Sequence, residues 1–357
     1  MKRLILSIFF LIQASIVFAG PLKIGTTFSP VQCAYLGLNW RETYLSILEM
    51  GFDLIRLGAY WNEIEKEQGV YDFSKLDWQV KEARKRDIPV VLTVGMKAPR
   101  WPEYFIPDWV MEKVTFSFGA DVSKSAYLKE HTLKFIEAVV ERYKKEATIR
   151  YWQVENEPLN RFGGEYWVIG KNFLIQEIEL VKRIDGEKRP VILTTATYPN
   201  KLLRFTSGIF IKHDPIEECL EMCDILGLNV YPVVGHKFLG LNFYFRTNKK
   251  EKELYFSKLL AKARDAGKEA WIVEFQAEPW EAGRLVYKEN KKPSSIRIDS
   301  FEESFQEVRE IGFDVILLWG AEHWHFRHIQ RKDPEWKEKI QNILMREKDF
   351  DKTPDMS

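Results

Sequence analysis

The stretch RYWQVENEPLN, Arg150 to Asn160, is a short apolar run that breaks off in two glutamates, an asparagine and a proline. A run of that length, bounded by a turn residue, reads as a buried strand. Its polar end then needs a reason, because a carboxylate at the end of a buried strand is costly unless something uses it.

Seven other runs repeat the pattern: Lys23 to Phe28, Leu54 to Tyr60, Pro89 to Val94, Val191 to Ala196, Ile225 to Tyr231, Ala270 to Phe275 and Val315 to Trp319. With Tyr151 to Glu155 they make eight. Longer amphipathic segments lie between them. Leu128, Phe135, Val139 and Tyr143 share one helical face, and a helix from about Glu253 to Ala266 is predicted to stop at Gly267. The octets MGFDLIRL (Met50 to Leu57) and IGFDVILL (Ile311 to Leu318) echo each other as helix end, glycine, strand.

Alternating strand and helix units predict a parallel sheet with helices outside. Eight such units without a linker predict one (β/α)8 TIM barrel domain, an α/β fold, over residues 20–357. The competing fold, an open doubly wound sheet, would carry a Gly-rich phosphate turn after its first strand; Gly25-Thr-Thr-Phe-Ser-Pro is not one.

The 357 residues are 45% hydrophobic and 29% charged, with a formal net charge of +1. That balance excludes a disordered chain, and the interspersed charges give no footprint for nucleic acid. Lys2 and Arg3, the apolar run Leu4 to Phe18, and the small residues up to Ala19 predict an export signal cleaved after Ala19, with an uncleaved anchor as the alternative. A secreted or periplasmic protein with no membrane contact after cleavage is expected. Cys33, Cys219 and Cys223 are too few for a disulfide framework and read as small buried residues rather than, with His213, a metal site.

In a barrel the chemistry sits where strands end. The fourth run ends in Glu155-Asn156-Glu157-Pro158, and the seventh carries Glu274. Glycosidic cleavage uses two such carboxyls, one protonated to donate to the leaving oxygen and one ionised to attack the anomeric carbon. Arg56 and Tyr231, ending the second and sixth runs, are placed to hold Glu274 ionised. Trp61, Trp101, Trp280 and Trp319 offer flat surfaces that suit sugar faces or core packing. Glu155 and Glu278 compete for the two carboxyl roles; His323, His325 and His328 beside Glu322 invite a metal, but the two-carboxylate mechanism needs none, so no metal site is expected and a substrate contact by His323 or His325 is expected instead. The segment from His236 to Lys250, aromatic and basic, reads as a lid, a partner surface or a buried insertion.

These residues resemble the retaining glycoside hydrolases of clan A along most of the chain. Asn156-Glu157-Pro158 stands where the clan has its 2-hydroxyl-binding asparagine and acid/base glutamate, and Glu274 where it has its nucleophile. Arg56 takes the place of the arginine that steadies the nucleophile, Tyr231 that of the tyrosine touching it, and Trp319 that of the tryptophan flooring the catalytic subsite. The third-strand stretch VVLTVGMKAPRWPEYF resembles the β-galactosidase-like families 35 and 42, while the NEP and VEF motifs also suit the cellulase-like family 5, with Asn229-Val230-Tyr231 replacing a His-x-Tyr. The resemblance implies a cofactor-free glycosidase hydrolysing O-glycosyl bonds of β-linked oligo- or polysaccharides with retention, its carboxyls about 5 to 5.5 Å apart. A non-catalytic carbohydrate-binding barrel and a transglycosylase are the alternatives.

Overall fold

The computed structural model describes residues 21–350 apart from 162, 202–203, 205–213, 239 and 285–286. The expected signal segment 1–19 and His213 lie outside the described residues. Among the described residues there are ten strands: β1 (Lys23–Thr27), β2 (Leu54–Gly58), β3 (Val90–Val94), β4 (Ile149–Val154), β5 (Val191–Ala196), β6 (Ile225–Val230), β7 (Val233–Phe238), β8 (Leu241–Arg246), β9 (Glu269–Gln276) and β10 (Val315–Trp319). Eight of them form a closed parallel barrel in the order β1-β10-β9-β6-β5-β4-β3-β2, and β7 and β8 form a separate antiparallel pair. Closure leaves the barrel no edge strand to protect.

The helices between strands follow the amphipathic pattern. The helix Ala126–Tyr143 starts on Ser125, whose hydroxyl accepts from the Leu128 N–H, and it buries Leu128, Phe135, Val139 and Tyr143. The helix predicted from Glu253 runs Lys249–Asp265 instead. Its extra first turn is Lys-Lys-Glu-Lys, too polar to show periodicity, and is held by the Asn248 cap on the Glu251 N–H.

The segment after β6 is a hairpin, turning at Gly240 in the left-handed region (φ +82°). Leu241 and Phe243 on its second strand are exposed. Among the described residues, no helix is long and apolar enough to cross a membrane.

Alternation along the strands decides what the barrel encloses. Leu54, Val91, Ile192, Ile225, Trp271, Val273, Val315 and Leu317 form one apolar cluster, distinct from the larger core between barrel and helices. Two residues further along the same strands come Arg56, Thr93, Thr194 and Gly227, and on β4, Gln153 follows Tyr151 in the same way. Arg56 on β2 bonds to Gln153 on β4 and Glu274 on β9, although β2 pairs only with β1 and β3. Those bonds cross the lumen. The interior is therefore apolar toward the start of the strands and polar at their C-terminal mouth.

Candidate active site

Glu274 reaches the lumen through a break in strand phase. Leu228 pairs with Ile272, but the next residue, Asn229, pairs with Glu274, so Val273 is an extra residue in β9; the β9–β10 ladder shifts at the same level. Strict alternation from Trp271 would point Val273 and Phe275 inward and Glu274 outward. The bulge keeps Val273 inward with the luminal cluster and shifts the phase after it, so that Glu274 lies on the same side. Phe275 packs outward on Phe301 and Phe305, and Glu274 turns in.

There Glu274 Oε1 accepts from Arg56 Nη2 at 2.6 Å and Oε2 from the Tyr231 hydroxyl at 2.6 Å. Arg56 is fully buried and its other donors are spent on Thr27 Oγ1 (2.9 Å) and Gln153 Oε1 (3.2 Å). Burial and the Glu274 charge push the Tyr231 phenol well above its ordinary range, so it stays a donor.

Glu155 and Glu157 both adopt the left-handed region, φ +59° and +47°. Two such non-glycine residues in three positions cost conformational energy and are held by their surroundings. Glu155, one of the sequence rivals, turns away from the mouth: its carboxylate accepts from the Met96 N–H (2.8 Å) and the Lys97 N–H (2.5 Å). Gly95 makes room for it, because a Cβ there would meet Glu155 Oε1 at 2.1 Å. Glu177, on the helix Lys171–Asp185, is buried beside it. Burial drives both up, Glu155 to about 7 and Glu177 well above its ordinary range, with Glu155's charge adding to the shift of Glu177.

Glu157 faces the mouth. Its N–H donates to Thr194 Oγ1 (2.8 Å) and its Oε1 accepts from Asn229 Nδ2 (2.8 Å). Asn229 is the direct ladder partner of Glu274, so one strand step links the two carboxyls. Burial, then the charge of Glu274, pushes Glu157 up to about 8. It therefore carries a proton at neutral pH. Asn156 is buried next to it, its Oδ1 accepting from Gln153 Nε2 and Thr194 Oγ1.

Two cations of the third-strand loop belong to the site although sequence reasoning passed over them. Lys97 is fully buried and donates to the carbonyls of Glu157 (2.9 Å) and Asn160 (3.3 Å). Arg100 lies over the Trp319 ring at 3.9 Å and pairs with Glu278 and Glu322. The signal was available: each is a charge in the loop that follows a fully buried strand, in VVLTVGMKAPRW. Glu278, the second rival, is thus committed to Arg100.

Other expected members separate. Trp61 is fully buried, stacked on Phe135 and donating to Glu65 Oε2, so it is a core residue and not a sugar platform. His323 and His325 lie on the helix Ala321–Arg331 and are buried; His323 packs on Phe326 and Trp336. Burial pushes them down to about 3 and about 4, so both are neutral. His323, expected to touch substrate, thus lies as a neutral ring against the buried aromatics Phe326 and Trp336. Glu322, on the same helix, accepts from the Ser29 N–H as well as Arg100. Trp101 and Trp280 are exposed, and Trp280 meets Tyr231 edge-on at 4.7 Å. Cys33, Cys219 and Cys223 are buried free thiols.

Residues 33–168 match the family model described as Beta-galactosidase, Glyco_hydro_42. That stretch carries Arg56, Lys97, Asn156 and Glu157. Curated relatives include β-galactosidase BgaB of Geobacillus sp. (strain Y412MC61), 30% identical over 131 residues, and BgaA of Clostridium cellulovorans, 26% over 133. Each match covers 33% of this chain and 19% of the relative, so the chain aligns with about a fifth of their length. Among solved structures, the β-galactosidase of Rahnella sp. R3 superposes with a TM-score of 0.64 at 14% identity, covering 94% of this chain and 57% of that one. GH5_18 of Streptomyces cattleya, in complex with GlcNAc, superposes at 0.62 and 10%, covering 94% and 82%. In its barrel, its motifs and the matched stretch, the chain is similar to the clan A glycoside hydrolases.

Proposed function

We propose that the chain is a retaining β-glycoside hydrolase, with Glu157 as general acid/base and Glu274 as nucleophile. The observation that carries this reading is the opposite treatment of two carboxyls at one barrel mouth. Burial keeps Glu157 protonated, while Glu274 accepts from a buried arginine and a phenol.

The steps follow from those partners. Glu157 gives its proton to the glycosidic oxygen as Glu274 Oε attacks the anomeric carbon, breaking the bond to the leaving group and forming a glycosyl ester. Glu157, now ionised, takes a proton from water, whose oxygen attacks the same carbon and releases Glu274. Asn229 steadies Glu157 through both steps. Asn156 and Trp319 are assigned to the sugar at the cleavage point, and Trp101 and Trp280 to neighbouring sugars.

β-Galactosides are the first substrates to try, because the relatives matching residues 33–168 are β-galactosidases. A second class, β-linked mannosyl-N-acetylglucosamine, is suggested by the GH5_18 structure of Bifidobacterium longum solved with Manβ1-4GlcNAc, at 13% identity and a TM-score of 0.60. Export through the segment ending at Ala19 would place the activity outside the cytoplasm.

The test is hydrolysis of aryl β-glycosides with good and poor leaving groups by wild type, Glu157→Gln and Glu274→Gln. Loss of the acid is expected to cost about 10² to 10⁴ on poor leaving groups and far less on activated ones. Glu274→Gln is expected to abolish both, and wild-type product should keep its anomeric configuration. Inversion, or an active Glu274→Gln, would refute the assignment.

A further inference from the structure

The acid/base carboxyl sits on a turn that its own strand does not explain. Glu157 is left-handed, two residues after another left-handed residue, and neither is glycine. The restraint comes from the loop after β3.

Lys97 binds that turn from three directions. Its N–H donates to the Glu155 carboxylate, its carbonyl accepts from the Asn156 N–H (2.8 Å), and its Nζ donates to the carbonyls of Glu157 and Asn160. A fully buried ammonium needs a countercharge. Glu103 Oε2 supplies it at 3.1 Å, with the Tyr104 ring 5.5 Å from the ammonium. Glu103 is itself left-handed (φ +74°), and its side chain is 19% exposed, so it closes the pocket from the solvent side.

We propose that the Lys97–Glu103 ion pair is the positioning element of the acid/base: Lys97 clamps the turn that presents Glu157, and Glu103 holds Lys97 in place. This rests on the reading of Glu157 as acid/base. The two residues act through Glu157.

The pair also has an electrical effect with two opposite signs. Glu157 is faced by Glu274 from β9, Lys97 and Glu103 from the loop after β3, Tyr198 after β5, Tyr231 after β6 and Cys219 from the helix Pro215–Met222. Of these, Lys97 favours the ionised carboxyl, and Glu103 opposes it. Removing Lys97's charge must raise the pH at which Glu157 loses its proton. Removing Glu103's charge must lower it. A scaffold role alone produces no such opposition.

The experiment is the pH dependence of kcat/KM for Lys97→Met, Lys97→Arg and Glu103→Gln, with wild type and Glu157→Gln beside them. Lys97→Met is expected to move the alkaline limb up by about 1 unit and Glu103→Gln to move it down, in line with a single nearby charge. Lys97→Arg keeps the charge and should leave the limb in place while kcat falls more than KM rises. If Lys97→Met does not fold, the direction of the Glu103→Gln shift decides. A limb that stays still, or moves upward in Glu103→Gln, overturns the proposal. If Glu157→Gln retains the wild-type limb, the acid/base reading itself has failed, and that result is recognisable without the other variants.

Discussion

Arg56 is the residue whose loss has the most calculable consequence. Arg56→Met removes the 2.6 Å pair with Glu274 and leaves a carboxylate whose side chain is only 5% exposed without its cation. Breaking a buried pair from one side costs about 3 to 5 kcal/mol. For a chain longer than 250 residues, about 2 °C of melting temperature per kcal/mol gives a fall of about 6 to 10 °C. Arg56→Lys keeps a charge but cannot serve Thr27, Gln153 and Glu274 together. At about 1 kcal/mol per lost hydrogen bond, about 2 kcal/mol is expected for it. The decisive form is a double-mutant cycle with Glu274→Gln, read by chemical denaturation. In that background no carboxylate is stranded, so Arg56→Met should cost about 2 kcal/mol or more less than in wild type. Additive costs would show that the pair carries no coupling, and the electrostatic account of the nucleophile would fall with it.

Two further predictions concern the scaffold beneath the site. Glu155 and Glu177 have folded-state values raised above the ordinary carboxyl, so the stability they allow is complete at acid pH and is lost as pH rises from about 4.5 through about 7. Glu177→Gln removes one of the two charges, and its melting temperature relative to wild type should climb across that window; a constant gap would refute the pairing. Gly95→Ala combines a φ of +122° with a 2.1 Å clash on the Glu155 carboxylate and should destabilise by about 3 kcal/mol or more, whereas Gly69→Ala, also left-handed but with nothing within 4 Å, should cost about 1. Equal costs in denaturation would mean that the carboxylate yields freely.

The barrel was readable because its evidence is redundant. Eight apolar runs bounded by turns survive errors of a residue or two at each end, as at β4, which begins at Ile149 rather than Tyr151. The hairpin after β6 was not readable, since its aromatic and basic residues give no clean alternation and its turn rests on one glycine. That Glu157, Glu274, Arg56 and Tyr231 meet at one barrel mouth was legible because all four stand at or just beyond strand ends. Trp61 could not be assigned correctly: it follows β2 by three residues, and only the helix Trp61–Ile64 turns it into the core. Lys97 and Arg100 were missed because a lysine or arginine in a loop is ordinarily solvated, and burial is a property of the neighbours.

The extra residue at Val273 lets one strand give the lumen two neighbouring side chains, an apolar one for the inner layer and Glu274 for the mouth. The direction of Glu274 is therefore set by pairing register rather than by chemistry. Deleting Val273 would leave Glu274 opposite Asn229 and still facing inward, whereas a slip that set Val273 opposite Asn229 would turn the glutamate out toward the helices with no side chain altered. A centre built this way can be silenced without touching any of its residues, and substitutions at Glu274 alone would never reveal that route.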